Sequence, residues 1–477
     1  PINSFLYPGP TNSNPYEVAN SCRFNDDDSA YMHKTCSSAF DTDRFTISLW
    51  CKRGALGIET RLVSCDNADG SDDDFLKFDA NDNIEFTIYG SSSIVGRLIT
   101  NAKYRDVSAW YHIVAVWDSA NGTAGNRMRL YVNGTEVTSF STDTNPSSGA
   151  NATFGNTSHP IEIGRRGSNG TQYFDGYIAE VAVCDGQAYA ASDFGEFDED
   201  SPTIWKPKDI SGLTFGTSGF YLDFENSSNL GNDANGGTDL TEVNLAATDQ
   251  ASDSPTNNFA TINPLDNYYG AKTFSEGNLQ QVDPSGNSYS SHTTIGVSNG
   301  KWYAEAKLTA QGADQTLIGI SSNQSTATGF HLGKGATSYG MYSNTGSYYT
   351  NNGSANSYGV SYTTNDIIGI YLDLDNNKLY FAKNGTIMNS GTGISITDPA
   401  STELGAYFFS AMQWDNATSA TWQFNFGSPI FSISSGNADK NGYGSFEYDP
   451  SDGGGSSFDS SAKDFYALCT KNLAEFG

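Results

Sequence analysis

The sequence predicts an all-β chain: two antiparallel β-sandwiches in tandem, with extended terminal arms. Three observations carry that prediction. Gly (50), Tyr (27) and Phe (28) are abundant while only 17% of residues are charged, the profile of a turn-rich β protein. Short runs alternate apolar and polar residues at period two, separated by Gly, Asn, Asp and Ser. One strand–turn–strand pattern also occurs twice, at Trp110–Gly134 and at Asp366–Gly385.

The second copy is the clearer. Ile368, Ile370, Leu372 and Leu374 recur at period two and so line one face of a strand. Asp375-Asn-Asn377 breaks the pattern, and Asn tolerates the positive φ of a primed hairpin turn. Leu379 and Phe381 resume the alternation, and Asn384-Gly385 supplies a second turn. Asp373 and Asp375 are expected to serve the solvent face and the turn.

In chain order, residues 1–15 read as an extended Pro- and Asn-rich arm. Strands then follow at short intervals from Tyr16, including Phe45–Cys51, Arg61–Cys65, Asn83–Tyr89, Trp110–Asp118 and Phe174–Val183. Residues 190–245 form a less regular wrap-around extension, and residues 246–266 are a polar linker. A second sandwich covers 267–430. Residues 431–477 make a Gly/Ser-rich tail, whose Phe446/Tyr448 and Phe465–Leu473 patches are placed to pin it to a neighbour.

The ordered blocks Phe-Thr-Ile-Ser-Leu-Trp (45–50), Trp-Tyr-His-Ile-Val (110–114), Leu-Tyr-Val-Asn-Gly (130–134) and Phe-Asp-Gly-Tyr-Ile-Ala-Glu-Val (174–181) resemble a laminin-G/pentraxin-like jelly roll of the concanavalin A type. That resemblance spans residues 16–225 and implies binding of glycans or proteins through rim loops, in some members with calcium. Gly300–Leu308, Thr316–Ile320, Tyr358–Val360, the Asp366–Gly385 hairpin and Phe424–Gly427 resemble, in that order, the SPRY fold. SPRY domains bind partners through loops and have no general catalytic apparatus. The coupling of the two domains, with Ser252–Phe259 between them and Phe465–Leu473 at the close, is similar to structural proteins of marine tailed phages. The resemblance implies a virion protein, capsid decoration or tail fibre, that partners other virion proteins, forms a homo-oligomer and meets host-surface glycans.

Among catalytic patterns, Glu196-Phe-Asp-Glu-Asp200 has the carboxylate spacing of concanavalin-like glucanases, with Asp in place of the final Glu. It lies in the irregular extension, where a solvated acidic loop is expected. No Gly-x-Ser-x-Gly elbow occurs, and Gly333-Lys-Gly lacks the Ser/Thr of a phosphate loop. The five histidines form no metal-binding pattern, and His112 is expected to be a hydrogen-bonded structural residue. The expectation is a protein that binds and does not catalyse. A glycan-cleaving virion hydrolase and a cellular adhesin are the alternatives.

Two ligand sites are candidates. Asp66, Asp69 and Asp72 stand in a loop that resembles the start of a calcium loop but has no Glu at its twelfth position. Tyr339, Tyr342, Tyr348, Tyr349 and Asn351 combine rings that stack with amides that hydrogen-bond, as sugar or protein recognition requires. The competing expectation is that these tyrosines straddle strand faces and merely pack.

Charge excludes one class of partner. With 54 acidic against 25 basic side chains the formal charge is −29, which repels nucleic acid and anionic membrane. No apolar run of about 18 residues exists to span a bilayer. The N-terminus lacks a signal-peptide layout. A chain made in a cytosol is therefore expected, with its six cysteines free and mostly buried, and the phage resemblance implies that it ends in the virion.

Overall fold

The computed structural model describes residues 16–67, 69–267, 272–285, 290–311, 315–323, 331–414, 418–451 and 463–477. The arm at 1–15 and the Gly/Ser run at 452–457 lie outside the described residues. Two antiparallel β-sandwiches follow one another along the chain. Among the described residues, the first sandwich pairs two eight-stranded sheets, and the second pairs a nine-stranded with a five-stranded sheet.

In the first sandwich, Arg44–Arg53 is the central strand, flanked by Tyr111–Asp118 and Gly176–Asp185. Phe45, Ile47, Leu49 and Cys51 point between the sheets into the core. The alternate residues do not face water. Val114, Val116, Ala182 and Cys184 are covered by Phe194, Ile210, Phe215 and Tyr221 of the extension. Burial on both faces explains why these strands read as almost continuous apolar runs. The second sandwich behaves alike: Ile368, Ile370, Leu372 and Leu374 enter its core, while Tyr371 and Tyr380 lie on the opposite face.

Both echoed hairpins close with the same device. Asn133 donates its N–H to the carbonyl of His112 at 2.9 Å and accepts the His112 N–H on Oδ1 at 2.8 Å. Asn384 makes the same pair of bonds with Ile367, both at 2.9 Å. Both asparagines have positive φ, 47° and 48°. Asn377 turns the other end of the second hairpin at φ 52°. Asp373 departs from expectation. It is fully buried, and it holds the turn by accepting from the Asn376 N–H at 3.0 Å and side-chain amide at 2.9 Å.

The stretch expected to be a polar linker is structural. Gln250–Ala251 adds a strand beside Ser21–Phe24. The Lys52 ammonium crosses to the connecting segment and donates to Asp253 (2.8 Å), Asn258 Oδ1 (2.7 Å) and the Phe259 carbonyl (2.8 Å). Lys52 and Asp253 side chains are each 1% exposed. Trp110 adds an indole N–H bond to Asp253 at 3.0 Å. The polar composition of the segment is thus consumed by buried hydrogen bonds. Arg23 reaches Glu276 at 2.9 Å, and Tyr177 OH donates to the Gly277 carbonyl at 3.2 Å, tying the sandwiches together. Gly277 has φ +60°, and a Cβ there would lie 2.4 Å from the Tyr177 ring, so only glycine fits.

The tail also departs from expectation. Its aromatic patches pin it to its own domain, with no neighbour needed. Phe446, Phe465, Ala467 and Cys469 pack on Tyr303, Tyr371 and Tyr380 of the nine-stranded sheet. Tyr466–Ala467 pairs in parallel with Lys301–Ala310, and the helix Thr470–Phe476 ends the chain. Beneath the tail, Glu305 accepts the backbone N–H groups of Glu447 (3.1 Å) and Tyr448 (2.8 Å) and bonds from Tyr303 and Asn425. Burial pushes its carboxyl up to about 7. All six cysteines are free and buried.

Two outcomes follow. Lys52→Ala strands a buried carboxylate and is expected to cost about 3–5 kcal/mol in urea unfolding. A Lys52→Met/Asp253→Leu double variant should recover much of that, and a single-variant cost within error of zero would remove Lys52 from the centre of the assembly. The Glu305 pKa is raised on folding, so its stability contribution is full below about 4.5 and lost as pH rises through about 7. Glu305→Gln should erase that slope, worth on the order of 3 kcal/mol, when unfolding is compared between pH 5 and 8.

Candidate functional site

The strand Ser338–Tyr342 divides the candidate tyrosines by its own alternation. Tyr339 faces inward, 4% exposed, and its hydroxyl accepts the Thr397 N–H at 3.0 Å. Tyr348 also turns inward, edge-on to Tyr358 at 6.1 Å. Tyr339 is buried and unavailable to a ligand, while Tyr348 packs half-buried against the core. Tyr342 and Tyr349 turn outward and meet at 5.9 Å. Asn351 is exposed at the turn, with φ 53°, its N–H on the Gly335 carbonyl at 2.9 Å.

Two further rings complete the outward group. Trp414 lies 6.0 Å from Tyr342 and 5.8 Å from Tyr349, both edge-on. His331 stacks on Trp414 at 4.3 Å. All four are half-buried over a floor of Leu317, Leu332 and Met412. The sheet places them there because Met412 is cross-strand to Leu317, and Leu317 to Tyr342. Burial lowers the His331 pKa, and its Nδ1 lies 3.1 Å from the Leu332 carbonyl, so the neutral ring donates there. The result is a rigid apolar platform with polar edges. Trp414 could have been found from alternation, since Met412 and Trp414 share a face opposite Phe409 and Ala411. His331 carries no comparable signal.

The carboxylate triplet lies beside a lysine on a short ribbon. Gly195–Phe197 and Trp205–Pro207 form a small ribbon outside the sandwich sheets. Glu196 and Asp198 both contact the Lys206 ammonium, at 3.5 and 3.4 Å. Asp198 also accepts the N–H groups of Asp200 and Ser201 and is held below its usual range, with the Ser201 N–H the first cause. A general acid needs the opposite shift.

The three aspartates of the loop are drawn apart. Asp66 is buried and accepts the Ser168 N–H at 2.7 Å, beside Arg166. Asp69 accepts the Ser71 N–H at 2.9 Å, and Asp72 the Ser92 N–H at 2.7 Å. Among the described residues, no three acidic, histidine or cysteine side chains converge to hold a metal ion.

His112 is held inside a stack of rings, 4.7 Å from Trp50 and 6.0 Å from Trp205. Trp205 donates its indole N–H to Nδ1 at 3.0 Å, which leaves the proton on Nε2 to be given to Ser48 Oγ at 2.9 Å. Burial lowers its pKa from 6.5 to about 3. Because the folded value is depressed, the contribution is full above about 6.5 and lost as pH falls toward 3. Nitrogen NMR should show an unprotonated Nδ1 at pH 5, and a doubly protonated ring there would contradict the assignment.

Two stretches of the chain match known protein families. Residues 25–191 match the Laminin_G_3 family, the concanavalin A-like lectin/glucanases superfamily, and residues 301–428 match the SPRY domain. The chain therefore carries a concanavalin A-like domain followed by a SPRY domain, classes associated with binding and protein interaction. The ATP-dependent RNA helicase Ddx1 of Drosophila melanogaster is 32% identical over 174 residues, 34% of this chain and 22% of the helicase. Ran-binding protein 9 of Homo sapiens is 33% identical over 100 residues, 21% of this chain and 13% of that protein. The matched part thus spans less than a quarter of either relative. Among solved structures, the SPRY domain of human HERC1 aligns at 14% identity and TM-score 0.27, covering 34% of this chain and 96% of that one. A SAP-like pentraxin from Limulus polyphemus aligns at 13% identity and TM-score 0.27, covering 37% and 80%.

Proposed function

We propose that this chain is a non-catalytic structural and binding protein of a tailed-phage virion, a capsid decoration or tail fibre. It presents its domains to host-surface glycans or to neighbouring subunits. The observation that carries the binding reading is the outward platform of Tyr342, Tyr349, Trp414 and His331, half-buried on the SPRY domain's five-stranded sheet. Half-buried rings held edge-on offer a ligand large contact area at little entropic cost. The virion setting, a homo-oligomeric state and the contact with other virion proteins draw support from the domain order and its resemblance to phage structural proteins. The pairing of Lys206 with both Glu196 and Asp198 supports a role without catalysis. Ran-binding protein 9 is named for binding another protein, which fits a subunit ligand as well as a glycan.

Trp414→Ala and Tyr349→Ala are each expected to weaken binding to immobilised host envelope or to purified particles about tenfold or more. Tyr339→Phe should leave it intact, because that ring faces the core. Equal binding by all three would remove the platform from recognition. Mass spectrometry of purified particles tests the setting separately: absence of the chain would end the virion reading whatever the platform binds.

A further inference from the structure

Lys272 and Asp283 form a buried pair of a different build from Lys52 and Asp253. They face each other at the end of the edge hairpin of the nine-stranded sheet, because Thr273 of the strand Thr273–Ser275 pairs with Val282 of Gln280–Asp283. Their side chains are 1% and 0% exposed, and Nζ lies 3.1 Å from Oδ1. The Lys52 ammonium donates to three oxygens at 2.7–2.8 Å. The Lys272 Nζ instead sits against Asp283 without hydrogen-bond geometry, and among the described residues Oδ1 has no hydrogen-bond partner.

The neighbours orient the nitrogen. Ser291 gives its hydroxyl hydrogen to Gln281 Oε1 at 2.6 Å, so toward Lys272 Nζ, 3.2 Å away, its oxygen accepts. The Ala411 carbonyl takes a second Nζ hydrogen at 3.4 Å. The third faces the carboxylate. Burial lowers the Lys272 pKa, and two charges held out of water favour passing that proton to Asp283. What remains is a neutral amine whose lone pair takes the place of the third hydrogen and is aimed at the carboxyl group. Gln281 Nε2 donates to Asp283 Oδ2 at 2.9 Å, on the oxygen that gathers negative charge as a nucleophile adds. We propose that Lys272 and Asp283 condense into an intramolecular amide, which staples the edge strand to its neighbour. The Nζ–Cγ bond forms and the Cγ–Oδ1 bond breaks. One water carries away Oδ1 with two of the three ammonium protons, and nothing is oxidised or reduced. A desolvated lysine held against its electrophile has the proximity this step needs, and the dry site protects the product from hydrolysis. The tie secures an edge strand, the part of a sheet with only one neighbour to hold it.

Mass spectrometry of the full chain, denatured after purification, tests the bond directly. The expected mass is that of the sequence less one water. Trypsin cuts an open chain at Lys208, Lys272 and Lys301. The cross-linked chain should keep residues 209–301 as one piece, one water light, with fragmentation joining Lys272 to Asp283. Lys52, whose ammonium is fully engaged, should be cut normally. Lys272→Met and Asp283→Ala should each run at their full sequence mass. Ser291→Ala, which lets the amine turn, should lower the cross-linked fraction several-fold while circular dichroism stays that of the wild type. A wild-type chain at its full sequence mass, cut normally at Lys272, overturns the proposal whatever the variants do. So does a water loss that fragmentation places on an Asp-Gly pair such as Asp185-Gly186, the mark of a succinimide.

Discussion

The Lys52 ammonium, out of water between the two sandwiches, is the contact on which the rest of the arrangement depends. It leaves the central strand of the first sandwich and takes three oxygens of the connecting segment. A buried ammonium is tolerable only with its donors used and a carboxylate beside it. Asp253 provides the carboxylate, and Trp110 and Lys52 together hold it in place. That fixes where residues 253–259 run. Phe259 is then set against Cys469 of the tail, in the aromatic layer on the SPRY domain's nine-stranded sheet. One charge pair thus organises the link, the interface and the cover of the second domain.

The two sandwiches were legible because their strands obey a simple period. Ile368 to Leu374 alternate and enter the core, and the Asn-Gly turns take the positive φ their sequence calls for. The linker and tail were not legible, for a shared reason. Ser, Asp and Asn look solvated when read singly, and only tertiary contacts reveal that Asp253 and Asn258 meet a buried lysine. Asp373 misled in the same way: a turn carboxylate satisfied by Asn376 can be wholly buried.

The proposed platform was half legible. The tyrosine-rich stretch 338–352 contains two of its four rings, and alternation sends Tyr339 inward and Tyr342 outward. Trp414 and His331 come from distant parts of the chain, and only strand pairing brings Trp414 beside Tyr342. The acidic motifs at 66–72 and 196–200 shared the failing of short patterns. Spacing says where carboxylates occur, not whether a backbone N–H or an arginine has already claimed them.

The close approach of Gly277 to Tyr177 carries a geometric consequence. The ring of one domain is seated on the bare backbone of the other, with Arg23 paired to Glu276 beside it. The two domains are then joined by buried contacts as well as by the connecting segment. A ligand that engaged both domains would therefore meet them with less slack than a free tether of the same length would give.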